Sequence, residues 1–244
     1  MPIQEIFNAK GRVSSLSGIV ADHLTQQIES GQLLPGERLV QMDLAQQFGV
    51  SRVAVRDALQ KVKQRGLVVD SETRGVTVRP LSIKSIEEIF EVRELIEGYL
   101  VREAAKNITP ADTRYLLSLL QQMNELAIEK DFDAYVDKDR ELHSYICSKS
   151  NREFMVDIWN MIWLRFKQAR GVAKRDTEWL RDWVDQASDN HEQLLQALTD
   201  GDGERAETIY RDIVRKSGRL LVDELRLRGW ATEEDREAVG TDDR

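Results

Sequence analysis

Apolar residues recur at helical spacing from the first clear element onward. Leu16, Ile19, Val20, Leu24 and Ile28 fall on one face of a helix expected over 15–29. The stretch SGQLLPGERL interrupts that period, and Gly31, Pro35 and Gly36 predict a turn. QMDLAQQF, residues 41–48, predicts a short helix closed by Gly49. Ser51 is placed to cap the next helix, and Val50 to staple against Val55. That helix is expected to reach about Arg65 and to stop at Gly66. Its inward face is Val55, Ala58, Leu59 and Val62, whereas Arg52, Arg56, Gln60 and Lys63 share an adjoining face. The period then changes to two: LVVD and VTVR predict paired strands, with SETRG as the hairpin connector.

After Pro80 strand signals end. Amphipathic segments follow at about 83–107, 110–130, 131–149, 151–174, 176–200 and 202–228. The expected fold is therefore mainly α. Residues 1–80 form a winged helix-turn-helix, and residues 81–230 an all-α bundle of six or seven helices. Residues 231–244, ATEEDREAVGTDDR, are acidic and aperiodic, and are expected to be disordered.

Charge changes this picture where it is uneven. The chain of 244 residues carries a net −8. Residues 1–80 hold ten Lys/Arg against eight Asp/Glu, and residues 51–80 seven against three, so the basic surplus lies around the predicted recognition helix and hairpin. The single cysteine, Cys147, excludes an internal disulfide. No apolar run approaches the roughly 20 residues of a membrane span, and the N-terminus lacks the apolar core of a secretory signal. A cytoplasmic protein without a membrane partner is expected.

In a winged helix-turn-helix the second helix of the pair enters the major groove N-terminus first. Arg52 and Arg56 stand on its first two turns, four residues apart and on one face. An arginine fork there binds guanine O6 and N7, or clamps a phosphate. Ser51 and the free amides of the helix start offer a further phosphate site. The bland alternative is a pair of solvated arginines.

PGERL followed by LAQQFGVSRVAVRDALQKVKQRGLVVDSETRGVTV resembles the DNA-binding domain of the GntR family of bacterial transcription regulators, over residues 15–79. The resemblance implies DNA contacts from Ser51, Arg52, Val53, Ala54 and Arg56, and from Arg74 and Gly75 in the wing; Arg38 in the turn is a candidate to reach the backbone in place of the family arginine missing at position 42. Met42 stands where the family often has an arginine. The rest of the chain is similar to the FCD effector-binding domain of the FadR subfamily, with the Arg-x-x-x-Glu pattern at Arg93 and Glu97. This implies a homodimer on a palindromic double-stranded operator, regulated by a small organic or sugar acid and expected to act as a repressor.

DKDRELHSYI sets Asp139 and His143 four apart on one helix face, within reach of one ion, and His191 lies on a later helix. The FCD resemblance implies a divalent cation held by an aspartate and three histidines. The fourth position falls on Ile213, which leaves Asp139, His143 and His191 as an incomplete set for Zn²⁺, Ni²⁺ or Mn²⁺. Two histidines satisfied within the bundle are the alternative. Arg93 and Arg165 are candidates to meet an anionic effector, or to bridge to a buried acid such as Glu97. The pairs Trp159/Trp163 and Trp179/Trp183 read first as core. Two other functions compete with regulation: a metal-dependent hydrolase or lyase carrying a helix-turn-helix, and an adaptor whose bundle only dimerises.

Overall fold

The computed structural model describes residues 15–71, 75–173 and 178–230. Ser15 starts the first helix, α1 (Leu16–Glu29), its Oγ accepting from the Gly18 amide at 3.2 Å. The predicted apolar face of α1 is buried: Ile19, Val20, Leu24 and Ile28. Helix α2 (Gln41–Phe48) ends at Gly49, whose φ of 66° is the left-handed cap that glycine adopts without strain. Helix α3 (Arg52–Gln64) buries Val55, Ala58, Leu59 and Val62. Strands β1 (Val68–Ser71) and β2 (Gly75–Val78) pair antiparallel, Val68 opposite Val78.

The hairpin is displaced by one residue at each end from the expected 67–70 and 76–79. The Leu67 amide is still held by the Val62 carbonyl, and Gly75, with φ 72°, already opens β2. The PGERL turn also does more than reverse the chain. Gly36 N donates to Val78 O, Val78 N to Glu37 O, and Leu39 N to Val76 O, which lays residues 36–39 along the free edge of β2.

These elements, together with residues 163–173, make one compact unit. Its core joins α1, α2, α3 and the hairpin through Leu24, Phe48, Leu59, Leu67 and Val78, and Leu164 packs against it. A second unit comprises residues 83–162 and 178–230 among those described. Six helices account for it and for residues 163–173: α4 (Ile83–Ala105), α5 (Pro110–Glu129), α6 (Phe132–Ser148), α7 (Glu153–Ala173), α8 (Glu178–Thr199) and α9 (Gly203–Leu227). Helix α4 packs on α9, α9 on α8, and α5 on both α6 and α8. Thr109 and Asp112 form a reciprocal capping box at the start of α5, with Pro110 at its first turn. Trp159 and Trp163 are fully buried, which is the core reading of that pair; Trp179 and Trp183 lie outside the described side chains, and residues 231–244 outside the described chain. No described helix is long and apolar enough to cross a membrane.

Candidate DNA-binding surface and metal centre

Ser51 makes the predicted cap, accepting from Ala54 N at 3.2 Å. The first turn of α3 is thereby fixed and faces solvent: Ser51, Arg52, Val53 and Arg56 are exposed and Ala54 half-buried. Arg56 meets only the neighbouring Asp57, at 3.5 Å, with both side chains more than half exposed. Such a contact holds little energy against solvent and leaves the guanidinium available. Arg38 is exposed, and its backbone bridges to Thr77 on β2, beside the hairpin. Sequence reasoning placed Arg38 in a turn and missed that pairing, because the partner strand lies some 40 residues on. Gly75 is exposed at the start of β2, and Arg74 lies outside the described residues. Met42 is 63 % exposed on the first turn of α2. The third histidine of the chain, His23, packs edge-on against Phe48, ring centroids 5.5 Å apart.

In the second unit Asp139, His143 and His191 converge as expected, all buried. His143 Nε2 lies 3.1 Å from Asp139 Oδ1; His191 Nε2 lies 3.3 Å from His143 Nε2 and 3.4 Å from the same carboxylate oxygen. A tetrahedral ion with bonds of about 2.0–2.1 Å sets its ligand atoms roughly 3.3 Å apart, so this triangle has the edges of one coordination face. Burial lowers the pKa of His191, favouring the neutral imidazole that a metal requires. Burial would raise the Asp139 carboxyl, but the two imidazoles reverse that and hold it below the usual carboxylate range. The donor set fits a divalent cation.

Around this triangle lies a second buried cluster. Arg93 Nε donates to Glu97 Oε1 at 2.7 Å and its Nη2 to Glu97 Oε2 at 3.2 Å, the i,i+4 pair that the sequence allowed. Tyr210 Oη donates to Glu97 at 2.6 Å, and its ring stands edge-on to His143 with centroids 5.0 Å apart. Tyr210 escaped the sequence reading, although its spacing of three from Ile213 put both on one face of α9. Ile213 is buried. Arg165 belongs to the first unit and donates to Gln168 at 2.5 Å. Burial and the neighbouring Arg79 bring its pKa down to about 10.

Residues 16–78 match the family model "Bacterial regulatory proteins, gntR family", and residues 88–216 that of the FCD domain. The HTH-type transcriptional regulator McbR of Escherichia coli (strain K12) is 28% identical over 151 residues, 62% of this chain and 68% of that protein. The gluconate operon transcriptional repressor of Bacillus subtilis (strain 168) is 28% identical over 196 residues, 79% and 80% of the two chains. Among solved structures, E. coli McbR/YncC is similar with a TM-score of 0.73 at 25% identity, covering 87% of this chain and 99% of that one.

Proposed function

We propose a mode of action whose premise is family membership: the chain belongs to the gntR family of bacterial regulatory proteins, carries an FCD domain, and is a transcription regulator rather than an enzyme. The observation that carries the reading is the capped start of α3, where Arg52 and Arg56 stand exposed. Arg52 and Arg56 read guanine or clamp phosphate in the major groove, with Val53 and Ala54 against base edges. Ser51 spends its Oγ on the cap, so its phosphate contact runs through the helix-start amides. Arg38, Arg74 and Gly75 contact the flanking backbone.

Two copies bind a palindrome whose half-sites lie about one helical turn apart. Likeness to a repressor of a gluconate operon supports repression, and an acid as the effector class. Asp139, His143 and His191 would hold a divalent cation, which supplies an electrophilic anchor for a carboxylate. Arg93, buried close enough to feel the Asp139 charge, gives the site a cation, provided the acid competes with Glu97 for it. Effector binding shifts operator occupancy only by the difference in its affinity for the bound and free arrangements. The hydrolase and adaptor readings have no comparable support.

The test is a selection. Full-length protein is mixed with sheared DNA from its own organism, and bound fragments are sequenced with and without a chelator. A short palindrome should be enriched, and the double substitution Arg52→Ala/Arg56→Ala should abolish enrichment while thermal unfolding stays cooperative. Retained binding by that variant would remove α3 as the recognition helix.

A further inference from the structure

Residues 163–173 of α7 lie far along the chain from the helix-turn-helix, yet they pack within its unit. Two glycines make the approach possible. A Cβ on Gly171 would meet the Glu29 carbonyl oxygen at 2.3 Å and the Gly31 amide nitrogen at 2.8 Å; one on Gly31 would meet the Gly171 oxygen at 2.2 Å. The backbones touch there, and no other residue type fits either position without separating them. One turn earlier Lys167 Nζ pairs with Glu29 Oε2 at 3.0 Å, with both side chains largely buried. Beside it Gln168, fully buried, donates from Nε2 to the Arg79 carbonyl at 2.9 Å. Arg79 follows β2 directly, and its own amide donates to Leu67 O at 2.8 Å, so it closes the root of the hairpin. Arg165 completes the chain of contacts by donating to Gln168 Oε1.

The two places gripped are those that aim a winged helix-turn-helix: the end of α1 with the turn after it, and the root of the wing. We propose that Lys167, Gln168 and Gly171 are positioning residues for DNA binding, holding the hairpin and the α1–α2 turn in the register that lets wing and recognition helix engage one duplex together. The proposal rests on the DNA-binding reading above. Neither a contact to DNA nor a contribution to the effector site is required of these residues. Gln168 is itself buried and its amide meets the carbonyl of half-buried Arg79, so replacing it by an apolar side chain removes a hydrogen bond that ties α7 to the root of the hairpin.

The experiment uses the full-length protein and the duplex recovered in the genomic selection. Gln168→Leu should raise Kd about 3- to 10-fold, the weight of one hydrogen bond. Hydroxyl-radical protection from the wing should be lost, while guanine N7 protection from α3 persists. Lys167→Glu should weaken binding similarly, and Glu29→Lys/Lys167→Glu should restore both affinity and footprint, a rescue that a general loss of stability would not give. Wild-type affinity and footprint in both Gln168→Leu and Lys167→Glu would overturn the proposal, as would failure of the rescue. If the wild-type chain recovers no DNA, the regulatory reading itself fails and this inference goes with it, an outcome distinguishable from the others at the first step.

Discussion

Single residues decide the candidate metal centre. Three donors were legible in the sequence because a spacing of four puts Asp139 and His143 on one helix face, and because so few histidines leave little choice for the third. The surroundings were not legible: Tyr210 reaches Glu97 across 113 positions of sequence, and periodicity carries no information about such a pairing. Ile213 yields the sharpest prediction here. On the proposed metal reading, Ile213→His would supply the fourth ligand that the FCD resemblance implies, and should tighten Zn²⁺ binding about tenfold or more, measured by competition with a chromophoric chelator. Without metal the same substitution buries an unpaired polar group and should cost about 1–3 kcal/mol. Added Zn²⁺ should therefore raise the thermal midpoint of the variant more than that of the wild type. Equal affinity in the two proteins would show that position 213 does not face the ion. Asp112 gives a second prediction. Lys149 at 2.7 Å, then Tyr145 at 2.5 Å and the Thr109 cap, hold its carboxyl below the usual range. A depressed pKa stabilises the fold above the unfolded value near 4, and that stability is lost as pH falls through the folded value. Asp112→Asn should cost about 1 kcal/mol at pH 7 and flatten the fall in urea midpoint below about pH 4.

At the scale of elements, helices were read within about two residues at each end, because caps and breakers such as Ser51, Gly66, Pro110 and Asp202 are local signals. Two features were not readable. The edge pairing of residues 36–39 is non-local, and a run containing Pro35 and Gly36 announces only a turn. The membership of residues 163–173 is hidden because α7 buries Trp159, Trp163, Phe166 and Ala169 over successive turns, and an apolar face does not say what covers it. The α4–α9 crossing makes a testable case of close packing. A Cβ on Gly218 would stand 2.7 Å from Phe90 Cγ and 3.1 Å from its Cβ, atoms near the backbone that cannot swing aside. Gly218→Ala gains helix propensity but forces the two helices apart, and overpacking should win by about 1–3 kcal/mol. A lower urea midpoint with unchanged helical circular dichroism is the expected result; a stabilised variant would mean the crossing can relax.

For the whole molecule the governing quantity is how much one recognition unit achieves alone. A chain of net charge −8 has its basic surplus within residues 51–80, so the electrostatic attraction of one copy for DNA is modest. Its acidic remainder repels phosphate at low salt. Two copies paired as proposed would change the arithmetic, because once one head is bound the second would meet its half-site at an effective concentration on the order of millimolar. A duplex carrying the full palindrome should accordingly bind about 10²- to 10⁴-fold more tightly than one in which a single half-site has been scrambled, with two chains per duplex by sedimentation. The same comparison at rising salt separates the contributions: both duplexes should weaken, and the full site should show about twice the slope of log affinity against log salt, since it engages twice the phosphates. Equal affinity for the two duplexes, or one chain per full site, would mean that the acidic bundle does not pair the heads, and that Arg52 and Arg56 must supply the affinity of each unit unaided.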